Sequence, residues 1–354
     1  MIALARGANP SAQKSKRLSG ENMSTIKEVA EQAGVSQATV SRVMNGEVRV
    51  AEPTRLRVEA AVAALGYHPN AFARSLASNR SHGVGLIISH LGGPFMGRLM
   101  LTLEDVLRRH DKSLLVASGR SDPEREREAA RFLLARRCDG LLVHADGMSD
   151  EELEALAAQT PLVVINRLVP ALSDRCVHVD NVSGGYQATR HLIEQGHRRI
   201  ACITGPLWKQ DATQRLMGYR RAMAQAKLAV DTDAVFEGDS LEHSGRLAVE
   251  RLATRGVDYT ALVTGNDEMA LGAIARLREL GRSVPEEVSM VGYDDEAYAR
   301  YVSPGLTTVH APLEEMAAAA AQRLLALAYD RPWQGELRFT PWLVERGTVA
   351  PPAS

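Results

Sequence analysis

The chain has 354 residues, 45% of them hydrophobic, with 42 lysines and arginines against 43 aspartates and glutamates. That length suggests two or three domains with ample buried core, and no apolar run approaches the ~18 residues of a membrane span, which excludes a spanning helix. The near-neutral total hides an asymmetry: residues 1–82 hold 11 basic against 6 acidic side chains and the remainder 31 against 37, a basic head on an acidic body. Basic heads meet phosphates with salt-dependent affinity.

Residues 1–23 are polar and lack the apolar centre of a secretory signal, so they read as a disordered basic tail. The three cysteines, Cys138, Cys176 and Cys202, have no metal-ligand spacing, and an odd count without an export signal predicts reduced structural thiols in the cytoplasm.

TIKEVAEQAGVSQATVSRVMN (25–45) predicts two short helices joined by a tight turn. Thr25 with Glu28 is a capping box. Ile26, Val29, Ala30 and Ala33 follow at helical spacing, so one face must pack on something. Gly34 suits a left-handed turn, and Ser36 can cap a second helix whose Val40, Val43 and Met44 face inward. Gln37, Ala38, Thr39, Ser41, Arg42 and Asn45 then point outward. Amide and guanidinium groups on such a face match base edges in a DNA major groove, although a solvated helical hairpin would use the same residues. Pro53 fits the first turn of a third helix, with Val58, Ala61, Val62 and Leu65 on one face and Gly66 as its stop. In YHPNAFARSLASNRS (67–81) Pro69 breaks the chain, and residues 70–79 make a helix too short to stand alone, which can order on a partner.

These segments, with VGLI (84–87), resemble the lactose-repressor/galactose-repressor family of bacterial transcription regulators, over nearly the whole chain from Ser24. The resemblance leaves both Met1 and Met23 open as the start, and it implies that helix 36–45 reads the major groove and that residues 70–78 form a hinge helix folding on the operator. It implies DNA contacts from Thr25, Ser36, Gln37, Ala38, Thr39, Ser41, Arg42 and Asn45, and from Tyr67, Asn70, Ala73 and Leu76. Leu76 matches the family's minor-groove wedge.

From Gly83 the pattern alternates. Apolar β-rich runs at 84–89, 114–118, 141–145, 162–166, 200–205, 261–265 and 288–294 are separated by helical stretches at 97–110, 124–137, 183–195, 211–227, 241–255 and 267–280. Such alternation gives parallel sheets covered by helices on both faces, and about 265 residues favour two lobes, divided near Asn181–Gly184. The resemblance, extended to periplasmic sugar-binding proteins, implies three crossings between lobes. The expected organisation is a tail at 1–23, an all-α helix-turn-helix head at 24–69 and a hinge at 70–82. A two-lobed α/β body follows, with a first lobe of 83–181 plus 312–329, a second lobe of 182–311 plus 330–348 and a tail at 349–354.

Parallel sheets bind ligands at the carboxyl ends of their strands. The residues just past the strands are Ser89–Phe95, Ser118, Asn166 with Arg167, Lys209 with Asp211, Ser240, Asn266 with Asp267, and Asp294. Carboxylates and amides that bridge hydroxyls, a forked arginine and an aromatic ring suit a sugar or polyol, although polar loops account for part of the set. The resemblance assigns ligand contacts to Phe95, Asn266, Asp294 and Arg215. It also shows departures: Thr213 stands where some members carry the arginine, and Ser240 where many have Trp or Phe, which removes a stacking platform. RRCDGLLVHADGMSDEELEAL and VVINRLVPALSDRCVHVDN are most similar to the galactose and β-glucoside repressors. Arg167, Lys209 and Arg215 together admit a sugar acid or phosphosugar.

Catalysis has no support, since GxSxG, P-loop, HExxH and CxxC patterns are absent and the adjacent Asp294 and Asp295 are expected to point apart. His191 and His197 lie six apart and do not align on one face. The sequence therefore predicts a cytoplasmic homodimeric DNA-binding regulator, repressing rather than activating, with no cofactor beyond a small effector. A sugar-transport protein or an α/β enzyme is the disfavoured alternative. Without leucine heptads after residue 348, no tail-driven tetramer is expected.

Overall fold

The computed structural model describes residues 24–44, 50–67 and 80–353, and the chain divides into two compact units, Met1–Asn79 and Arg80–Ser354. In the first unit, α1 (Ile26–Ala33), α2 (Gln37–Met44) and α3 (Glu52–Leu65) share one small core. Val29, Ala30, Ala33, Val40, Val58 and Ala61 are buried there, with Val35 packed against them from the turn. Gly34 (φ 64°) and Gly66 (φ 57°) end α1 and α3 in the left-handed region, where a Cβ would be strained.

The second unit holds two six-stranded sheets. The first uses β1 (Gly83–Ile88), β2 (Ser113–Ser118), β3 (Gly140–His144), β4 (Leu162–Ile165), β5 (Cys176–Val179) and β11 (Arg338–Phe339), in the order β11-β5-β4-β3-β1-β2. The second uses β6 (Ile200–Thr204), β7 (Val235–Glu237), β8 (Ala261–Thr264), β9 (Ser289–Asp294), β10 (Thr307–His310) and β12 (Trp342–Val344), in the order β12-β10-β9-β8-β6-β7. All described pairings are parallel except β10 with β12. Strands such as β1, β3 and β4 are buried at every residue, as a sheet covered on both faces requires.

In the first lobe one face packs under α4 (Pro94–Arg108) and α11 (Leu313–Ala328), and the other under α5 (Pro123–Ala135) and α6 (Asp150–Ala157). In the second, α9 (Glu242–Thr254) and α10 (Asp267–Glu279) cover one face, with α7 (Asn181–Glu194) and α8 (Gln210–Gln225) on the other. Truncating one of the fully buried leucines here costs about 2–5 kcal/mol.

The lobes divide between β5 and α7, whose first turn is residues 181–184 and is capped where Ser183 N donates to Asp180 Oδ1 at 3.0 Å. Two expectations change. The final crossing comes later than residue 330, because Arg338 and Phe339 pair with His178 and Val179 in the first sheet before Trp342 joins the second. Ser81 and His82, expected in the hinge, are pinned to the body by the buried Asp139, whose carboxylate accepts from Ser81 N (2.8 Å) and His82 N (3.0 Å), and from the Tyr329 hydroxyl.

Candidate functional site

On the head, Glu28 N donates to Thr25 Oγ1 at 3.3 Å and Thr25 N to Glu28 Oε2 at 2.6 Å, so the Thr25 side chain serves the start of α1. Ser36 Oγ accepts from Thr39 N at 3.2 Å and opens α2 in the same way. Gln37, Ala38, Ser41 and Arg42 are exposed along α2, Thr39 is half-buried, and Tyr67 packs against the helical core. The result is a short helix with an outward polar face on a fixed support, the shape that enters a major groove. Asn45, Asn70, Ala73 and Leu76 lie outside the described residues.

In the body, the carboxyl ends of both sets of strands open on one cavity of about 940 Å³. Ser89, Phe95, Ser118 and Asn166 line it from the first lobe, and Lys209, Asp211, Arg215, Ser240, Asn266 and Asp294 from the second. Its walls hold unusual backbone. Of the eleven non-glycine residues with positive φ among the described residues, five line it: Arg120 (53°), Ser121 (53°), Asn166 (62°), Ser240 (73°) and Asp294 (104°). Such conformations persist where the surroundings over-determine them.

Arg167 does not belong to it. Its guanidinium donates to Met148 O at 2.7 Å and Asp150 Oδ1 at 2.5 Å, bracing the first lobe internally, and it lines a neighbouring cavity instead. Position after a strand sets where a residue starts, not where a long side chain ends. Asp295 likewise turns away from its neighbour Asp294. Burial opposes its ionisation, yet hydrogen bonds from His310 (2.9 Å) and Arg346 (2.5 Å) hold its carboxyl at about 2.

Two other cations of the cavity are engaged, while Arg120 lines it from an exposed position. Lys209 Nζ sits 3.3 Å from Asp146 Oδ2 across the cleft. Arg215 donates from Nε to Asn181 Oδ1 at 2.9 Å and from Nη1 to Gly265 O; its Nη2 lies 3.5 Å from Asp294 Oδ1, and its guanidinium stacks 3.7 Å over the Tyr293 ring. Six carboxylates line the cavity, from Asp146, Asp211, Asp239, Glu268, Asp294 and Glu296. Burial pushes the Asp294 carboxyl up to about 7 against the pull of Arg215. Burial also raises Glu268 and Glu296. Asn266 is oriented by both ends of its amide: Oδ1 accepts from Met269 N at 2.9 Å and Nδ2 donates to Ser240 O at 2.8 Å.

Bonds join the lobes around the cavity. Asn166 Nδ2 donates to Asp211 Oδ2 at 3.2 Å, and the Gln210 amide serves both backbone groups of Leu168, at 2.7 and 3.1 Å. Arg98, held by Glu314 at 2.8 Å, reaches Glu296 at 3.3 Å.

Sequence reasoning missed several lining residues. His144 is buried with both ring nitrogens unpartnered and packs 5.6 Å from the Phe95 ring. Burial lowers its pKa, so it stands neutral, with one donor and one acceptor to offer. A histidine closing the apolar run LLVHA was the available signal. Trp208 lines the wall from the loop after β6, beside Lys209. Tyr298 also lines the wall, from a 3₁₀ turn that no periodicity marks.

Comparison with known proteins agrees with these two surfaces. Residues 25–70 match the family model for bacterial regulatory proteins of the lacI family, and residues 189–349 match a periplasmic binding protein-like domain. The chain is 41% identical to the HTH-type transcriptional regulator GalR of Escherichia coli (strain K12), over 94% of this chain and 97% of that protein. It is 35% identical to the HTH-type transcriptional regulator AscG of the same organism, over 94% and 100%. The crystal structure of the lac repressor dimer bound to operator and the anti-inducer ONPF superposes with a TM-score of 0.84 at 30% identity, covering 92% of this chain and 99% of that one.

Proposed function

The chain belongs to the lacI family of bacterial regulatory proteins, and from that premise we propose a cytoplasmic, homodimeric repressor of carbohydrate-utilisation genes whose effector is a neutral sugar held between its lobes. It is a DNA-binding transcriptional regulator, and the exposed Gln37, Ala38, Ser41 and Arg42 of α2 are the side chains we assign to base edges. One recognition helix covers few bases, so two heads on a two-fold axis read a pseudo-palindromic operator. Leu76 is the side chain we assign to the minor-groove wedge.

The observation that carries the effector reading is the charge state of the cavity. Lys209 and Arg215 are committed to carboxylates, Arg167 faces elsewhere, and six carboxylates line the walls. An acidic sugar or phosphosugar would meet those carboxylates with only the exposed Arg120, of the lysines and arginines lining the cavity, left outside an ion pair to offset them. Hydroxyls suit the groups present: Asp294 and Asn266 to bridge neighbouring oxygens, His144 to donate one bond and accept another, and Phe95 to cover an apolar ring face. Binding there biases the two lobe arrangements by no more than its differential affinity, and so alters the competence of the heads for DNA.

Thermal shift of the full-length protein with hexoses, hexuronates and hexose phosphates tests this. Neutral hexoses raise the melting temperature and change operator affinity in a gel-shift assay. A response confined to the acidic or phosphorylated sugars would sink the neutral-sugar reading.

A further inference from the structure

We propose that the effector site has a second, outer subsite built around Trp208, and that the preferred effector is a neutral disaccharide or glycoside rather than a free monosaccharide. This rests on the sugar-effector reading above. A cavity of about 940 Å³ lies at the top of the ~300–1,000 Å³ range of small-ligand sites, more than one pyranose ring needs. Beside it lies a second cavity of about 430 Å³, lined by Gln214, Thr213 and the Asp150–Arg167 pair among others. The two share Asp146, Trp208 and Lys209 as a common wall.

Trp208 is 57% exposed at that wall. A large ring left in water beside a polar cavity forgoes its burial free energy unless something covers it. Its face is flat and electron-rich, and Lys209 Nζ already approaches the ring at 5.3 Å. The C–H face of a pyranose is the complementary surface, while the sugar's hydroxyl edge finds amide and carboxylate groups on the far side. The inner part of the site has its own aromatic, Phe95, with Asp294, Asn266 and His144 for hydroxyls. Each part therefore pairs one apolar platform with several hydrogen-bonding groups, a repeat that matches two linked rings. Tyr298 is the third aromatic of the wall, and of the three only Trp208 is shared with the neighbouring cavity.

Isothermal titration calorimetry on the full-length protein tests the subsite with galactose, glucose, their methyl β-glycosides, lactose, melibiose and cellobiose. Against the methyl glycoside carrying the same inner ring, the best disaccharide binds about tenfold more tightly, the size of one stacking contact. W208A removes that advantage and leaves methyl-glycoside affinity within about threefold, and W208F restores most of it. Equal affinity for one and two rings in the parent, or equal weakening of both by W208A, would overturn the outer subsite while the sugar-effector reading stands. Failure of every sugar to bind would overturn both.

Discussion

His144 illustrates how one side chain decides what a site can recognise. It is buried with no protein group bonded to either ring nitrogen, so a ligand hydroxyl in the cavity can pair with it. H144F keeps a ring of similar shape beside Phe95 and removes both polar atoms. We expect it to weaken binding of the tightest neutral hexose about tenfold in calorimetry with a melting temperature near that of the parent; unchanged affinity would show that no hydroxyl meets the imidazole. Asp294 makes a second prediction. Its carboxyl, raised to about 7 by burial, holds a proton more tightly folded than unfolded, so folding takes up a proton between about pH 4 and 7 and stability falls as pH rises through that window. Asparagine does not titrate. The melting temperature of D294N relative to the parent therefore climbs from pH 5 to pH 8, by about 5 °C for a body of this size. A difference that stays flat with pH would contradict the raised carboxyl. Legibility at this scale followed chemistry more than direction: Phe95, Lys209, Asp211, Ser240, Asn266 and Asp294, read from the segments after strands, line the cavity, as does Arg215, read from the resemblance and carried on α8. Arg167 fails because its guanidinium is taken by Asp150 inside its own lobe.

Among the elements, those with strong periodicity or caps were readable and the shortest were not. The Thr25–Glu28 box and the fully apolar β1 announce themselves, whereas β5, β7, β10, β11 and β12 run for two to four residues and give no repeating signal. The segments just before β1 and just after α11 meet at Asp139, before β3 and at the opposite end of the strands from the cavity. Its carboxylate takes backbone donors from Ser81 and His82, just before β1, and the Tyr329 hydroxyl, just after α11. D139N replaces one acceptor oxygen by an amide that faces donors. We expect a loss of about 1–3 kcal/mol in denaturant unfolding, with hexose affinity unchanged because the cavity is untouched. A variant as stable as the parent would show the clamp to be incidental.

For the whole molecule, the contrast between a basic head and an acidic body separates two outputs. A protein lacking residues 1–79 keeps the entire two-lobed core, so it should retain hexose affinity and melting behaviour while losing operator binding. DNA affinity surviving that deletion would refute the assignment of α2. In the intact protein, operator affinity falls with salt by a log–log slope of about −0.9 per phosphate neutralised. Two lobes and their parallel sheets were legible from the alternation of runs, but the last crossing was not, because Arg338 and Phe339 carry too little sequence to declare which sheet they join. The route of the chain also sets an order of events on the ribosome. Leu313, Met316, Ala317, Ala320, Ala321, Leu324 and Leu325 of α11 complete the first lobe's core against β1, β3 and β4, and β11 then closes its edge. The lobe whose strands are synthesised first is therefore finished almost last. Its apolar sheet face waits through some 130 intervening residues, between Asn181 and Leu313, for its cover. A nascent or prematurely terminated chain can hold a folded head while its first lobe is still open, so quality control in the cell bears on the body before it bears on the DNA-reading end.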